Sequence, residues 1–246
     1  MCLIVFAWRP GHAQPLQLAA NRDEFYARPA LALAQWPDAP GVYAGRDLEA
    51  GGTWLGIGPN GRFATVTNIR GRNAPGRRSR GELCAAYLSG EQSLDAYARN
   101  VCAHAHEYAG FNLLLSDGQQ LYYLTNDSIG PEALGEGVYG LSNAALNTPW
   151  PKLLKTRCAF EAQLDGTPEQ WLGIMADPTP ASDAQLPETG VGLATERLLS
   201  SAFITSATYG TRASSALVVH QDGRRLLTER SFGPGGALIG QVTLEV

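Results

Sequence analysis

Residues 1–25 read MCLIVFAWRPGHAQPLQLAANRDEF, and the register of this stretch decides the fold. Cys2–Trp8 and Leu16–Asn21 are short apolar runs on either side of the turn-rich RPGHAQ, the pattern of a β-hairpin. With the turn centred near His12, antiparallel pairing sets residue i opposite 24 minus i, so Cys2 faces Arg22. A slip of one residue would turn every side chain to the wrong face. LIVF is apolar at four consecutive positions, which predicts a strand buried on both faces. That fits two sheets stacked between helical layers better than one solvated sheet.

The rest of the chain follows the same grammar. GTWLGIGPNGRFATVTN predicts two strands around Asn60-Gly61, with Asn68 opposite Thr53. Ser79–Glu82 (SRGE) is a capping-box sequence opening a helix through Leu88, and Ser93–His106 predicts a second helix. FNLLLS and QLYYLT flank Asp117-Gly118 as another hairpin. Further helices are predicted over Lys152–Leu164, after Thr167-Pro168-Glu169-Gln170, and near Thr195–Phe203. SALVVHQDGRRLLTERSF is a last hairpin and QVTLEV a closing strand. Hairpins followed by a helix pair occur twice, which predicts an α+β fold: a four-layer αββα sandwich of two stacked, mainly antiparallel sheets. No internal repeat or linker divides it, so residues 1–246 are expected to form a single domain. Asp177–Gly190 reads as a flexible loop.

Composition narrows the function classes. Hydrophobic residues make up 44% and charged residues 17%, as in a folded globule, and the net charge of −4 offers no field for nucleic acid or anionic membrane. Cys2–Trp8 is too short for a signal peptide and has no preceding cationic segment. No uncharged apolar run reaches the roughly 18 residues of a membrane helix. A cytoplasmic protein without membrane insertion is expected. Cys2, Cys84, Cys102 and Cys158 form no CxxC pair, which argues against a zinc cluster or disulfide framework. His104 and His106 are two apart on a predicted helix and cannot share a metal as residues four apart do. No metal or organic cofactor is expected. The sequence leaves the oligomeric state open.

Chemistry concentrates at the start of the chain. If Met1 is trimmed, Cys2 carries a thiol nucleophile and an α-amine with a pKa of about 7.7–8.0, which can serve as its base. The hairpin register brings Arg22 and Asp23 to the same end of the sheet, where a guanidinium favours thiolate and a carboxylate can orient the amine. Neighbours on a strand point to opposite faces, so both reach the thiol only if the strand ends or bulges there. Asn68 and Asn143, each at a strand end, are candidate oxyanion donors. Arg70, Arg72, Arg77, Arg78 and Arg80 could form a rim that steers an anionic ligand.

NRDEF, GGTWLGI, Thr67-Asn68, SRGEL and GLSN with TPWPK, in this order, resemble the NRDE family, the family of the transport and Golgi organisation protein 2. A weaker match is YGTRASSALVV at Tyr209–Val219. That family is similar to the N-terminal nucleophile hydrolases, whose fold is an αββα sandwich. The resemblance implies Cys2 as nucleophile and base, tuned by Arg22 and Asp23. It also implies the Asn143 side chain and the Asn68 backbone N–H as oxyanion donors, with Arg212 as a further arginine near the nucleophile. Position 147 is asparagine where the family pattern leads one to expect aspartate.

Two functions are consistent with these residues. One is an amidohydrolase or acyltransferase acting on a non-peptide C–N amide through Cys2, its partner a small-molecule amide or acyl metabolite. The other is a non-catalytic protein that binds or traffics haem or a lipid-like metabolite in the same pocket.

Overall fold

The computed structural model describes residues 2–71 and 76–246. Met1, whose removal the N-terminal mechanism requires, and Arg72 of the arginine run lie outside the described residues. The chain divides into two compact units, one formed by the chain up to Ala27 together with Glu136–Val246, the other by Arg28–Gly135.

The first unit is built on a six-stranded antiparallel sheet. Its strands are β1 (Cys2–Trp8), β2 (Leu16–Phe25), β10 (Gly137–Leu141), β11 (Tyr209–Val219), β12 (Arg225–Phe232) and β13 (Leu238–Glu245), in the order β10-β1-β2-β11-β12-β13. Leu3, Val5, Ala7 and Ala19 pack with Leu153 and Phe160 of α3 (Pro151–Glu161) and Trp171, Leu172 and Met175 of α4 (Pro168–Met175). Ile4, Phe6 and Trp8 on the opposite face of β1 are equally buried, as the apolar run LIVF requires. Each such Leu, Ile or Phe contributes about 1.5–3 kcal/mol by leaving water. The helix after α4 is α5 (Leu193–Leu199).

The second unit carries seven strands in sequence order: β3 (Ala30–Gln35), β4 (Tyr43–Asp47), β5 (Leu55–Ile57), β6 (Phe63–Asn68), β7 (Phe111–Ser116), β8 (Leu121–Thr125) and β9 (Glu132–Ala133). Helices α1 (Arg80–Ser89) and α2 (Leu94–Ala103) pack Leu83, Tyr87, Leu88, Tyr97 and Val101 against Ala64, Val66, Leu113 and Leu115 of that sheet.

Three expectations need correction. Asn68 does not face Thr53. Gly58 and Pro59 both bond with Arg62, by Gly58 N to Arg62 O (2.8 Å) and Arg62 N to Pro59 O (3.2 Å). This extra residue shifts the pairing by one, so Leu55 faces Thr65 and Gly56 faces Ala64, and Asn68 instead pairs with Phe111. SRGE forms no capping box either. Ser79 caps α1 without a side-chain bond, since the Glu82 N–H donates to the Ser79 carbonyl (3.1 Å), and the Glu82 side chain is held by Arg78 instead of reaching back to Ser79 N. The third concerns Asp177–Gly190, which is not wholly irregular: Asp183–Gln185 forms a short 3-10 turn and the segment bonds to its neighbours. Lys155 binds Asp177 (2.5 Å), Ser200 Oγ accepts from Ala181 N (2.9 Å), and Glu196 accepts from Thr189 N (2.9 Å).

Candidate active site around Cys2

The β1–β2 ladder pairs Cys2 with Arg22 and continues without a break to Trp8 and Leu16. The loop between Arg9 and Pro15 fixes that register with a bond from Arg9 N to Pro15 O (2.8 Å). Directly opposed residues of an antiparallel pair share a face, so Cys2 and Arg22 do. Arg22 is 7% exposed, and its Nη2 lies 3.9 Å from Glu24 Oε2, two residues along on the same face.

On β1's other side, β10 pairs Leu141 with Ile4 and Gly140 with Val5. Continued past its end, this pairing brings Ser142 level with Leu3 and Asn143 level with Cys2. Ser142 Oγ donates to the Cys2 carbonyl (3.0 Å) and lies 3.3 Å from Asn143 Oδ1. Both residues are buried, Asn143 to 1% exposure. The turn that follows is held by Asn147, in the left-handed region at φ 58°, whose side chain accepts from Gly140 N (2.9 Å) and Arg157 Nη1 (3.1 Å). The amide at 147 therefore serves the turn.

Asp23 sits on the opposite face. Leu3, Val5 and Ala19 face α3 and α4, and so does Asn21, whose Nδ2 donates to Met175 O and Ala202 O at 2.8 Å each. Asp23 follows Asn21 by two and shares that face, where Thr211 Oγ1 donates to its Oδ1 (2.7 Å). A bulge is present, but on the neighbouring strand: β11 pairs Thr211 with Asp23 and Ala213 with Arg22, leaving Arg212 as the extra residue. Arg22 and Asp23 therefore remain on opposite faces of β2. Arg212 Nη1 reaches Phe25 O (3.2 Å), at the end of β2. Gly210 must lack a side chain, since a Cβ there would come within 2.3 Å of Tyr26 Oη and 2.5 Å of Ile204 O.

Charges follow this partition. Burial pushes the Cys2 thiol above the ordinary cysteine value; the Asp23 and Glu24 carboxylates push the same way, and the Arg22 guanidinium opposes them. A neutral thiol needs a base to become a nucleophile. Burial also raises Asp23, opposed first by the Lys152 ammonium and then by the Thr211 hydrogen bond and Arg22.

Within the first unit, Cys2, Arg22, Asp23, Asn143 and Arg212 all gather at one end of the sheet. Asn68 belongs to the second unit. In that unit Arg78 is bound by Glu82 and by Glu107 (3.0 Å), and Arg80 Nη1 by Gly110 O (3.1 Å), so these two arginines hold the fold. Four residues of the first-unit site escape a reading by residue type: Ser142, Thr211, Glu24 and Lys152. A signal for Lys152 exists. It stands in the first turn of a helix, where the macrodipole disfavours a cation, and yet it is only 5% exposed.

The fold is α+β, with helices packed on an antiparallel sheet in each unit, and it is similar to that of solved N-terminal nucleophile hydrolases. A Caenorhabditis elegans N-acylethanolamine-hydrolyzing acid amidase ortholog superposes with a TM-score of 0.50 over 88% of this chain and 92% of that chain, at 10% identity. At that identity the likeness shows the fold alone. By sequence the chain belongs to the transport and Golgi organisation 2 family, whose model matches residues 1–234. It is 37% identical over 261 residues to the Bos taurus transport and Golgi organization protein 2 homolog, covering 94% of this chain and 93% of the relative. The Homo sapiens homolog is 34% identical over 257 residues, with the same coverage. Among the described residues, no helix is long and apolar enough to cross a membrane.

Proposed function

We propose that this chain is an N-terminal cysteine amidohydrolase or acyltransferase acting on a small, non-peptide C–N amide. The observation that carries the reading is the position of Cys2, with Arg22 opposite it on β2 and Ser142 bonded to its carbonyl from the other side. The fold supports it as a scaffold on which such chemistry occurs, and by itself a fold names no reaction.

In this reading the Cys2 backbone nitrogen is a free amine. It takes the thiol proton as sulfur attacks the substrate carbonyl, and a tetrahedral oxyanion forms. Asn143 Nδ2 donates to that oxyanion. The C–N bond breaks, the amine leaves with the proton returned by the α-amine, and a Cys2 thioester remains. Water or a second nucleophile then takes the acyl group and restores the thiol. Side-chain and backbone groups carry every step, so the cycle draws on no metal or organic cofactor. Its site of action in this reading is the cytoplasm.

Intact mass spectrometry of untagged protein incubated with a panel of hydrophobic N-acyl amides tests the proposal. The expected result is a chain lacking Met1 that carries one acyl adduct, mapped to Cys2 and lost in Cys2→Ala. Retained Met1 with no adduct overturns it. A haem Soret shift unchanged by Cys2→Ala would then favour the binding and trafficking function.

A further inference from the structure

The six-stranded sheet ends at β13, and among the described residues no strand pairs with its outer side. β13 is eight residues long, where strands average about 5–6. Edge strands are commonly blunted by proline, by lysine or by a shortened ladder, because an open ladder is a template for association. LIGQVTLE contains neither proline nor a basic residue, and its apolar start stands in water, with Leu238 61% and Ile239 71% exposed. One bulge interrupts it: Ser231 pairs with Gly240 and Phe232 with Leu238, which leaves Ile239 as the extra residue. The regular ladder therefore runs from Gly240 to Val246, and Thr243 is its midpoint.

One residue pair sets the direction of every backbone group. Arg225 and Val246 exchange both hydrogen bonds, Arg225 N to Val246 O at 2.8 Å and Val246 N to Arg225 O at 3.0 Å. Bonded and non-bonded pairs alternate along an antiparallel ladder, so Leu244 and Val242 bond inward to β12 while Glu245, Thr243 and Gln241 turn N–H and C=O to the open edge. A second copy laid antiparallel about a two-fold axis at Thr243 satisfies those groups. Val242 then meets the partner's Leu244 on one face, and both are only half-buried in the single chain. On the other face Gln241 meets the partner's Glu245. Charges alternate along that row: Glu169 binds Arg230, Arg230 Nε donates to Gln241 Oε1 (2.8 Å), and the incoming Glu245 carries its own Arg224 at 3.5 Å. A register centred on Glu245 would instead set like carboxylates face to face, which is destabilising.

We propose that the β13 edge pairs with the same edge of a second copy of this chain, two-fold about Thr243, joining two six-stranded sheets into one. Such an interface lies at the small end of the stable range, below about 1,200 Å² in total, so the dimer forms reversibly at micromolar chain concentrations. The test is sedimentation equilibrium of the full chain under reducing conditions, from about 1 to 200 µM. The parent is expected to double its mass across that range. Thr243→Pro removes an N–H that points outward and leaves the β12 ladder whole, so it is expected to fold and to associate at least tenfold more weakly. Glu245→Lys is expected to weaken association at least tenfold, and adding Gln241→Glu in the same chain to restore it, which decides the matter should Thr243→Pro fail to fold. Cys2→Ala is expected to associate as the parent does, which keeps this result independent of the proposed chemistry. A parent that stays monomeric, a dimer undiminished in Thr243→Pro, or no recovery in the double variant overturns the pairing.

Discussion

Cys2 and Arg22 are directly opposed in the β1–β2 ladder, the thiol at the first residue of one strand and the guanidinium across from it on the next. Burial and two carboxylates keep the thiol protonated, and Arg22 works against them. Arg22 is thus one side chain through which the reactivity of Cys2 can be tuned.

Removing that side chain has a signed consequence. Arg22→Leu deletes the opposing positive charge, so the Cys2 pKa rises and the thiolate fraction at neutral pH falls. Alkylation of Cys2 by iodoacetamide is expected to slow by about three- to tenfold, with its pH midpoint moved up, while Arg22→Lys retains most of the rate. An unchanged or faster rate would show that Arg22 does not act on the thiol.

Asp23 imposes a pH dependence on stability. In the unfolded chain it titrates near its ordinary value of 3.8, and in the folded chain higher, because burial outweighs Lys152 and Thr211. As pH rises through that interval the unfolded state loses its proton first, so ionisation favours unfolding and stability is lost. The stability of the parent relative to Asp23→Asn should therefore be greatest below pH 3.8 and decline above it. Urea unfolding across this range measures the difference, and a flat or rising difference contradicts the assignment.

Two helix starts with similar sequences should respond differently to truncation. Thr167 caps α4 in a complete capping box with Gln170, so Thr167→Ala is expected to cost about 1 kcal/mol. Ser79 makes no side-chain bond at the start of α1, so Ser79→Ala should cost at most a few tenths of that. Paired denaturant melts read both values.

Gly52 is a packing residue. A Cβ there would lie 2.3 Å from the Gly81 carbonyl carbon and 2.5 Å from its oxygen, and Thr53 N donates to that same carbonyl at 3.1 Å. Gly52→Ala must move backbone and is expected to cost about 1–3 kcal/mol in urea unfolding. GGTW and SRGE, two of the motifs that carry the family resemblance, thus meet each other at Gly52 and Gly81.

How much of this was legible differs from residue to residue. The pairing of Cys2 with Arg22 follows from counting, because a short loop between two apolar runs leaves one register that buries both. The same counting misses at Asn68, where Gly58 inserts a bulge beside an Asn60-Gly61 turn that looks ideal in isolation. Strand β3 escapes notice because ALALAQ is mostly exposed and its pattern is weak. SRGE misleads because the capping glutamate has a competing partner, Arg78, one residue before the cap.

For the candidate site, residue types and hairpin spacing select Cys2, Arg22, Asp23 and Asn143. Spacing along one strand also requires Arg22 and Asp23 to face opposite ways. Whether a bulge would overturn that alternation depends on the partner strand, and β11 takes the bulge at Arg212, which leaves β2 regular. Lys152 beside Asp23 is a meeting of residues far apart in the chain, and its local sequence reads as the exposed start of a helix.

The sequence by itself determined the hairpins flanking the loop from Arg9 to Pro15, Asp117-Gly118 and Asp222-Gly223, most of the helices, the register at Cys2 and the family to which the motifs point. These rest on local turn chemistry and on periodicity, which act over a few residues. Tertiary structure alone decided the face on which each carboxylate lies and the partner that each buried charge meets. Burial and long-range charge pairing depend on which distant segments the core brings together, and no short stretch of chain encodes that.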